Sequence, residues 1–319
     1  MALAIETTGL TKRFGDTEAL AGIDLKIRKG SVYGLLGPNG AGKTTAIRLL
    51  ATLIRPTSGT ASVLGHDVVR EAAEVRRRVS LTGQYASVDD ELTGRENLIL
   101  IGRLLGLPWR DARARAGELM EAFGLAEAAR RQVRTYSGGM RRRLDIAASL
   151  VSTPEILFLD EPTSGLDPRS RNQVWDIVRS IAAQGTTVLL TTQYLEEADR
   201  LADRLAVIDH GRVIAEGTSR DLKASVGAST LHVRLAERGQ QGPARSVVAR
   251  VLGDGVLPST DPSVVTATVT DAAHASRVIE ALGLEGLDVL EFSLGSPSLD
   301  DVFFALTGRP AEARPEASP

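Results

Sequence analysis

The residues Gly37-Pro38-Asn39-Gly40-Ala41-Gly42-Lys43-Thr44, followed by Thr45, have the types and spacing of a polyphosphate cradle. They fit G-x-x-x-x-G-K-[ST], in which glycines let backbone N–H groups close around an anion. Lys43 would reach the outer phosphates as a point charge, and Thr44 would offer its hydroxyl to Mg²⁺. The helix that begins there would present its positive end. Apolar Val32-Tyr33-Gly34-Leu35-Leu36 precedes the loop, and Ala46-Ile47-Arg48-Leu49-Leu50 follows it. A strand enters and a helix leaves. The stretch therefore predicts a nucleoside-triphosphate site rather than a glycine-rich turn that binds nothing.

Two further groups could work with this loop. Asp160-Glu161 directly follows the apolar run Ile156-Leu157-Phe158-Leu159. Acids at the exposed end of a buried strand lie where open α/β sheets bind ligands. Asp160 is placed to hold Mg²⁺ through its water shell, and Glu161 to orient or deprotonate an attacking water. By themselves the two acids also read as a solvated loop after a strand. Tyr136-Ser137-Gly138-Gly139-Met140 opens a helix, with Ser137 as its cap and free amides at the positive end. Arg141-Arg142-Arg143 then fall in the first turn, where the dipole disfavours cations unless a polyphosphate is bound. Individually these arginines read as a solvated basic face.

The elements that must position these groups alternate between strand and helix. Ile23–Ile27 and Ser31–Leu36 read as strands around a turn at Arg28-Lys29-Gly30. Ala61–Gly65 and Val79–Thr82 read as short strands. From about Thr93 to Gly124 the pattern is helical, broken at Gly106-Leu107-Pro108, with Leu98, Ile101, Leu104 and Leu105 on one face. Leu119, Met120 and Phe123 share another. Helices over Gly138–Ser149, around Val174–Ile181 and through Leu195–Leu201 alternate with buried strands at Ile156–Leu159 and Thr187–Thr191. Leu205–Ile208 and Arg212–Ala215 flank a tight turn at His210-Gly211. The series predicts an α/β sheet.

Composition shifts near Leu222–Gly227. Strands at Leu231–Leu235, Val264–Val269 and Val289–Phe292 then alternate with helices at Val247–Leu252 and Ala275–Leu282. Ser298, with Asp301 as capping-box partner, begins a last helix whose apolar stripe is Leu299, Val302, Phe303 and Leu306. This βαβαβα series is a second, small α+β domain of about 80 residues. Residues 310–319 carry no apolar pattern and are expected to be disordered.

With 319 residues, 43% hydrophobic and 24% charged, the chain is long enough for about two globular domains. Its 38 basic and 40 acidic residues nearly cancel, so nothing asks for nucleic acid. The absence of cysteine excludes disulfides, thiolate metal sites and thiol catalysis. His66, His210, His232 and His274 are too scattered to build a metal site. No apolar run approaches the roughly 20 residues that span a bilayer. Met1–Glu6 has no signal-peptide pattern. The expected place is the cytoplasmic side, with any membrane role supplied by a separate chain.

Together these motifs resemble the ATP-binding subunit of an ABC transporter, over about residues 3–220. Gly37–Thr44 is similar to the family's Walker A, and Leu157–Glu161 to Walker B with its catalytic glutamate. Gln84, in Thr82-Gly83-Gln84-Tyr85, matches the Q-loop, which implies a Mg²⁺ contact and a hinge toward a membrane partner. Ser137-Gly138-Gly139-Met140 resembles the signature motif, and Ser164-Gly165-Leu166-Asp167 the D-loop. Phe14 stands where the family places an aromatic under adenine. The implied fold is a P-loop NTPase of the ABC type, with a RecA-like core, a β-subdomain and a helical subdomain over about 85–150. The implied domains are residues 1–220, an accessory domain at 221–309, and the tail.

Three departures from the family pattern are informative. Tyr136 replaces the usual leucine and Met140 the usual glutamine, at positions that mainly buttress the helix start. Gln193, in Thr191-Thr192-Gln193-Tyr194, stands at the switch-histidine position. Glutamine can donate to a γ-phosphate oxygen but cannot carry a proton charge near pH 7. Glu161 would then be the sole general base. Tyr136–Arg143, Thr191–Asp199 and Pro297–Phe303 resemble the daunorubicin/doxorubicin-resistance type of exporter ATPase, in which glutamine is usual there.

The resemblance implies ATP and Mg²⁺ as ligands and a head-to-tail pair of copies. The phosphate loop of one copy would face Ser137–Met140 of the other. It also implies a separate transmembrane permease that holds the subunit peripherally at the membrane. A soluble ATPase of translation or DNA repair would carry two cassettes or a long coiled-coil insertion. A P-loop kinase or GTPase would need neither signature helix nor D-loop. The C-terminal domain shows no catalytic constellation and reads as a dimer-stabilising or regulatory lobe. Drug export and export of a lipid or endogenous metabolite both fit.

Overall fold

The structure, a computed structural model, describes residues 2–83, 88–225, 229–259, 261–269, 272–295 and 298–307. Gln84, the Q-loop residue, lies outside the described residues, as does the 310–319 tail. The chain divides into two compact units, Met1–Glu216 and Gly217–Pro319.

In the first unit, β1 (Leu3–Phe14) and β2 (Thr17–Arg28) form a long antiparallel pair. Strand β3 (Val32–Leu36) then leads through the phosphate loop into α1 (Lys43–Leu50). Strands β4 (Ser58–Val63) and β5 (His66–Asp67) return to the first sheet, whose order is β2-β1-β4-β5. Next come α2 (Ala72–Arg78), β6 (Val79–Thr82) and the helical subdomain: α3 (Gly94–Leu104), α4 (Trp109–Ala122) and α5 (Gly138–Ser149). The core closes with β7 (Ile156–Asp160), α6 (Pro168–Ala183), β8 (Thr187–Thr192), α7 (Leu195–Leu201), β9 (Arg204–Asp209) and β10 (Arg212–Gly217).

The second sheet has the order β10-β9-β3-β8-β7-β6. Strands β9, β3, β8, β7 and β6 run parallel, and every residue of β3, β7 and β8 is buried. Burial on both faces is why these strands read as continuous apolar runs. Register does the rest. Leu36 lies opposite Thr192, and Asp160 lies opposite Thr191. The ends of three adjacent strands therefore deliver the phosphate loop, the acidic pair and Gln193 to one edge.

Two expectations need correction. The sequence reading has no strand over Leu3–Phe14, because the alternation there is interrupted: the β1–β2 register shifts repeatedly, and Gly9 and Gly22 take positive φ. The shared face of Leu98, Ile101, Leu104 and Leu105 is only partly buried. Leu98 is buried, whereas Leu104 is 78% exposed and Leu105 is exposed at the end of α3.

The second unit contains α8 (Ser219–Ser225), β11 (Ser229–Leu235), α9 (Gln241–Leu252), β12 (Val256–Leu257), β13 (Val264–Val269), α10 (Ala272–Leu284), β14 (Val289–Gly295) and α11 (Leu299–Thr307). Its sheet has the order β12-β13-β11-β14 and is antiparallel. Helix α8 and strand β12 are not announced by the alternation. Leu231, Val233, Val265 and Ala267 form its core with Val248 of α9 and Val278 of α10. The capping box holds: Asp301 N donates to Ser298 Oγ at 3.1 Å and Ser298 N to Asp301 Oδ2 at 2.8 Å. Leu299, Val302 and Phe303 are buried, and α11 packs on α8, while Leu306 stays exposed.

Candidate active site

The phosphate loop needs its glycines for two different reasons. A Cβ on Gly37 would lie 2.2 Å from Ile208 O, and one on Gly42 would lie 2.5 Å from Ala19 O. Gly42 also takes φ +107° at the N-cap of α1, where no side chain caps the helix. The first amides of α1 are thus left for an anion. Pro38, Asn39, Gly40, Ala41, Lys43, Thr44 and Thr45 line a depression here with Ala19 and Glu161.

Lys43 is only 4% exposed. Its ammonium donates to Gly37 O at 2.7 Å and to Pro38 O at 3.1 Å, and lies 3.6 Å from Glu161 Oε1. A buried cation must be paired, and these acceptors serve that purpose. Thr44 Oγ1 donates to Asp160 Oδ1 at 3.1 Å, and the same oxygen accepts from Thr191 Oγ1 at 2.6 Å. Asp160 is buried. A hydroxyl and a carboxylate converging in this way form a hard oxygen donor set of the kind Mg²⁺ takes beside phosphates. The site residues therefore fit that ion.

Glu161 adopts φ +48°, a conformation that is costly for a residue with a side chain. It is held there by its own N–H, directed at Thr191 O at 3.1 Å and Thr191 Oγ1 at 3.0 Å. Gln193 follows β8 directly, and its buried Oε1 has no hydrogen-bond partner among the described residues. An unpaired buried carbonyl oxygen is costly.

Other predicted residues lie outside that wall. Ser137 caps α5, its Oγ accepting from Met140 N at 3.2 Å, and Ser137 and Gly138 are exposed. A Cβ on Gly138 would meet only Leu166, at 4.0 Å, whereas one on Gly139 would lie 2.3 Å from Ser170 Oγ. Close packing of α5 on α6 thus explains the second glycine, and only Gly138 is open to a ligand. Tyr136 Oη donates to Ala128 O at 2.7 Å and braces the helix start. Asp167 caps α6, its carboxylate accepting from Ser170 N at 2.9 Å and Ser170 Oγ at 2.6 Å. These bonds hold its carboxyl below the usual range. Phe14 is half exposed at the β1–β2 hairpin, with Lys12 Nζ 4.9 Å from its ring centre.

The basic triplet does not behave as one solvated face. Arg141 pairs with Asp90 at the surface, but Arg142 is buried. Its guanidinium donates to Pro162 O at 2.8 Å, Gly83 O at 2.7 Å and Asp160 O at 3.1 Å. Burial pushes its pKa down, opposed by Asp145, Glu197 and Asp160. Five donors in a fixed fork suit it to tying the β7 end, the β7–α6 loop and the β6 end together. Sequence reasoning also passes over Glu197 of α7. It is fully buried and accepts from Thr163 Oγ1 at 2.9 Å and Trp175 Nε1 at 3.1 Å. Burial pushes its carboxyl up. A third such residue, Thr191, is legible only as a strand end.

The family model described as ABC transporter matches residues 20–164, and that of the ATP-binding protein DrrA1-3-like C-terminal domain matches 217–307. The daunorubicin/doxorubicin resistance ATP-binding protein DrrA of Streptomyces peucetius is 58% identical over 98% of this chain and 94% of its own. The chain belongs to the ATP-binding proteins of ABC transporters. The Nod factor export ATP-binding protein I of Ralstonia nicotianae is 38% identical, over 96% of this chain and 94% of its own. An ATP-binding cassette of an ABC transporter, solved in its ADP conformation, matches with TM-score 0.63 and 26% identity, over 69% of this chain and 93% of that one. As an ABC ATP-binding subunit, the chain binds nucleotide and hydrolyses ATP to energise export. Such subunits work as paired cassettes with a transmembrane partner. Among the described residues, no helix is long and apolar enough to cross a membrane.

Proposed function

We propose that this chain drives a drug or antibiotic exporter by closing a head-to-tail dimer on two ATP molecules. The observation that carries the reading is the division of the motifs. Lys43, Thr44, Asp160 and Glu161 meet at one edge, while Ser137 and Gly138 lie outside the walls of that depression with α5 capped toward solvent. A second copy would bring that helix start to the γ-phosphate.

Within one subunit, the amides of Gly40–Thr44 and the ammonium of Lys43 hold the β- and γ-phosphates. Lys43 would exchange the carbonyls of Gly37 and Pro38 for phosphate oxygens. Thr44 and Asp160 would hold Mg²⁺, which when bound would supply positive charge beside the phosphates. Glu161 then orients and deprotonates the attacking water, with its backbone fixed by Thr191. Gln193 directs its amide N–H₂ at a γ-phosphate oxygen and senses its departure. Phe14 would stack on adenine, Gln84 would serve as a Mg²⁺ contact and a hinge toward the membrane subunit, and Asp167, which caps α6, would shape the cassette interface. Phosphate release reopens the dimer, a population shift that follows because the γ-phosphate no longer bridges the two copies. The subunit stays at the cytoplasmic side of the membrane, held by its permease.

The cargo reading rests on the relative that confers daunorubicin/doxorubicin resistance, at 58% identity over 98% of this chain. The relative of Nod factor export favours a second reading, export of an endogenous product. Drug susceptibility of a host carrying the chain with its membrane partner tests the choice, with Lys43→Ala as the inactive control. Resistance that Lys43→Ala abolishes supports drug export. Equal susceptibility, despite active ATPase in membranes, favours an endogenous cargo.

A further inference from the structure

Glu161 stands at the head of a tight turn. Its carbonyl accepts from Ser164 N at 3.3 Å, and Thr163 O accepts from Leu166 N at 3.2 Å. Its φ of +48° is a costly conformation, which persists only where neighbouring groups over-determine it. Thr191 fixes the amide of Glu161. Two buried ionisable residues fix the turn that follows. Arg142 Nε donates to Pro162 O at 2.8 Å, and Thr163 Oγ1 donates to Glu197 Oε1 at 2.9 Å. Thr163 and Glu197 have no exposed surface.

Glu197 belongs to a different element. It lies in the first turn of α7, just beyond Gln193. Glu197 N donates to Tyr194 O at 3.1 Å, and Tyr194 N donates to Thr192 Oγ1 at 2.9 Å. The segment from Thr192 to Glu197 is thus one folded unit, with Gln193 inside it. The oxygen that accepts from Thr163 also accepts from Trp175 Nε1 of α6 at 3.1 Å, which fixes its direction. Arg171 of α6 adds a second tie, 5.1 Å from the ring centre of Tyr194.

We propose that Glu197 is a positioning residue for hydrolysis: through Thr163 it sets the turn that carries Glu161, and through the start of α7 it ties that turn to Gln193. The proposal rests on the reading of Glu161 as the base and Gln193 as the sensor of the γ-phosphate. Glu197 is not among the residues that line the depression at the phosphate loop, so it acts through its neighbours. Base and sensor are then set as a pair. A misplacement of about 1 Å can cost about 10²-fold in rate, and the loss of one bond in this turn should cost about tenfold.

The experiment measures steady-state ATPase and Tm of the full chain. Thr163→Val keeps the shape of the side chain and removes its bond to Glu197. Its kcat should fall about tenfold while KM for ATP stays within about twofold, because the cradle around Lys43 is untouched. Thr163→Ser keeps the hydroxyl and should restore kcat. Trp175→Phe removes the other bond to the same oxygen but keeps a ring beneath Arg200 and leaves the Thr163 bond. It should lower Tm comparably and leave kcat within about twofold of wild type. If Thr163→Val does not fold, Glu197→Leu removes the same acceptor, and Glu197→Gln, which retains one, is its rescue. Equal losses of kcat in Thr163→Val and Trp175→Phe would overturn the proposal, as a merely structural role predicts them. So would wild-type kcat in Thr163→Val, or no recovery in Thr163→Ser. Glu161→Gln is assayed beside them. Near-normal turnover there overturns the reading of Glu161, and this proposal with it. An inactive Glu161→Gln beside a fully active Thr163→Val overturns the role of Glu197 alone.

Discussion

Thr191 and Asp160 are linked across two adjacent strands: Thr191 Oγ1 donates to Asp160 Oδ1 at 2.6 Å. The same hydroxyl accepts from Glu161 N at 3.0 Å. One threonine therefore fixes both the carboxylate that would hold Mg²⁺ and the backbone of the residue that would act on water. Thr191→Val keeps the shape and removes the hydroxyl. A hydrogen bond to a charged group contributes about 1.5–3 kcal/mol, so the apparent Mg²⁺ requirement of the ATPase should rise roughly tenfold. Thr191→Ser should stay near wild type. A Mg²⁺ titration of steady-state turnover checks both.

Arg142 and Arg141 are neighbours in sequence with opposite expected effects. Arg142→Ala strands the buried carbonyls of Asp160 and Pro162 and the part-buried one of Gly83, at a cost of about 3 kcal/mol or more. Arg141→Ala removes a partly exposed pair with Asp90, worth less than about 1 kcal/mol. Thermal unfolding should show a drop of several degrees for the first and little change for the second. Equal effects would contradict the division.

The two signature glycines separate fold from function. Gly139→Ala drives a Cβ into Ser170 and should lower stability. Gly138→Ala meets open space, so its Tm should hold or rise slightly, helix propensity favouring alanine. Its ATPase should nevertheless fall at least tenfold if a second copy's nucleotide meets this helix start. Turnover and Tm measured on both variants decide the matter.

Glu197 makes stability depend on pH. Its folded pKa is raised by burial, so the folded state binds its proton more tightly than the unfolded one. The stability this contributes is fully present below the unfolded carboxylate range and is lost as pH rises through the folded value. Glu197→Gln keeps an acceptor for Thr163 and Trp175 and carries no charge. The Tm of wild type should therefore fall relative to Glu197→Gln as pH rises from 4 to 8. A constant difference across that range would contradict the assignment.

Much of this site can be read without coordinates. Gly37–Thr44, Asp160 and Glu161 sit where a buried strand ends, and burial writes itself into sequence as continuous apolar residues. Helix α5 begins at Gly138 because serine caps and glycine packs, both local rules. Arg142 escapes such a reading because nothing local distinguishes it from Arg141. Its role depends on three carbonyls brought from distant elements. Glu197 is hidden for the same reason, in a helix whose acids otherwise read as solvated. Strand β1 is obscured by bulges, which erase the period-two pattern while leaving the pairing intact.

The central claim is that Glu161 is the base that drives hydrolysis at the loop of Lys43 and Thr44. Glu161→Gln should keep ATP binding, since the amide replaces one carboxylate oxygen 3.6 Å from Lys43 and leaves the cradle alone. Turnover should fall by about 10²-fold or more, the usual worth of a positioned general base. Steady-state ATPase of Glu161→Gln, with nucleotide binding measured in parallel, is the direct test. Near-normal turnover with intact binding would contradict the account.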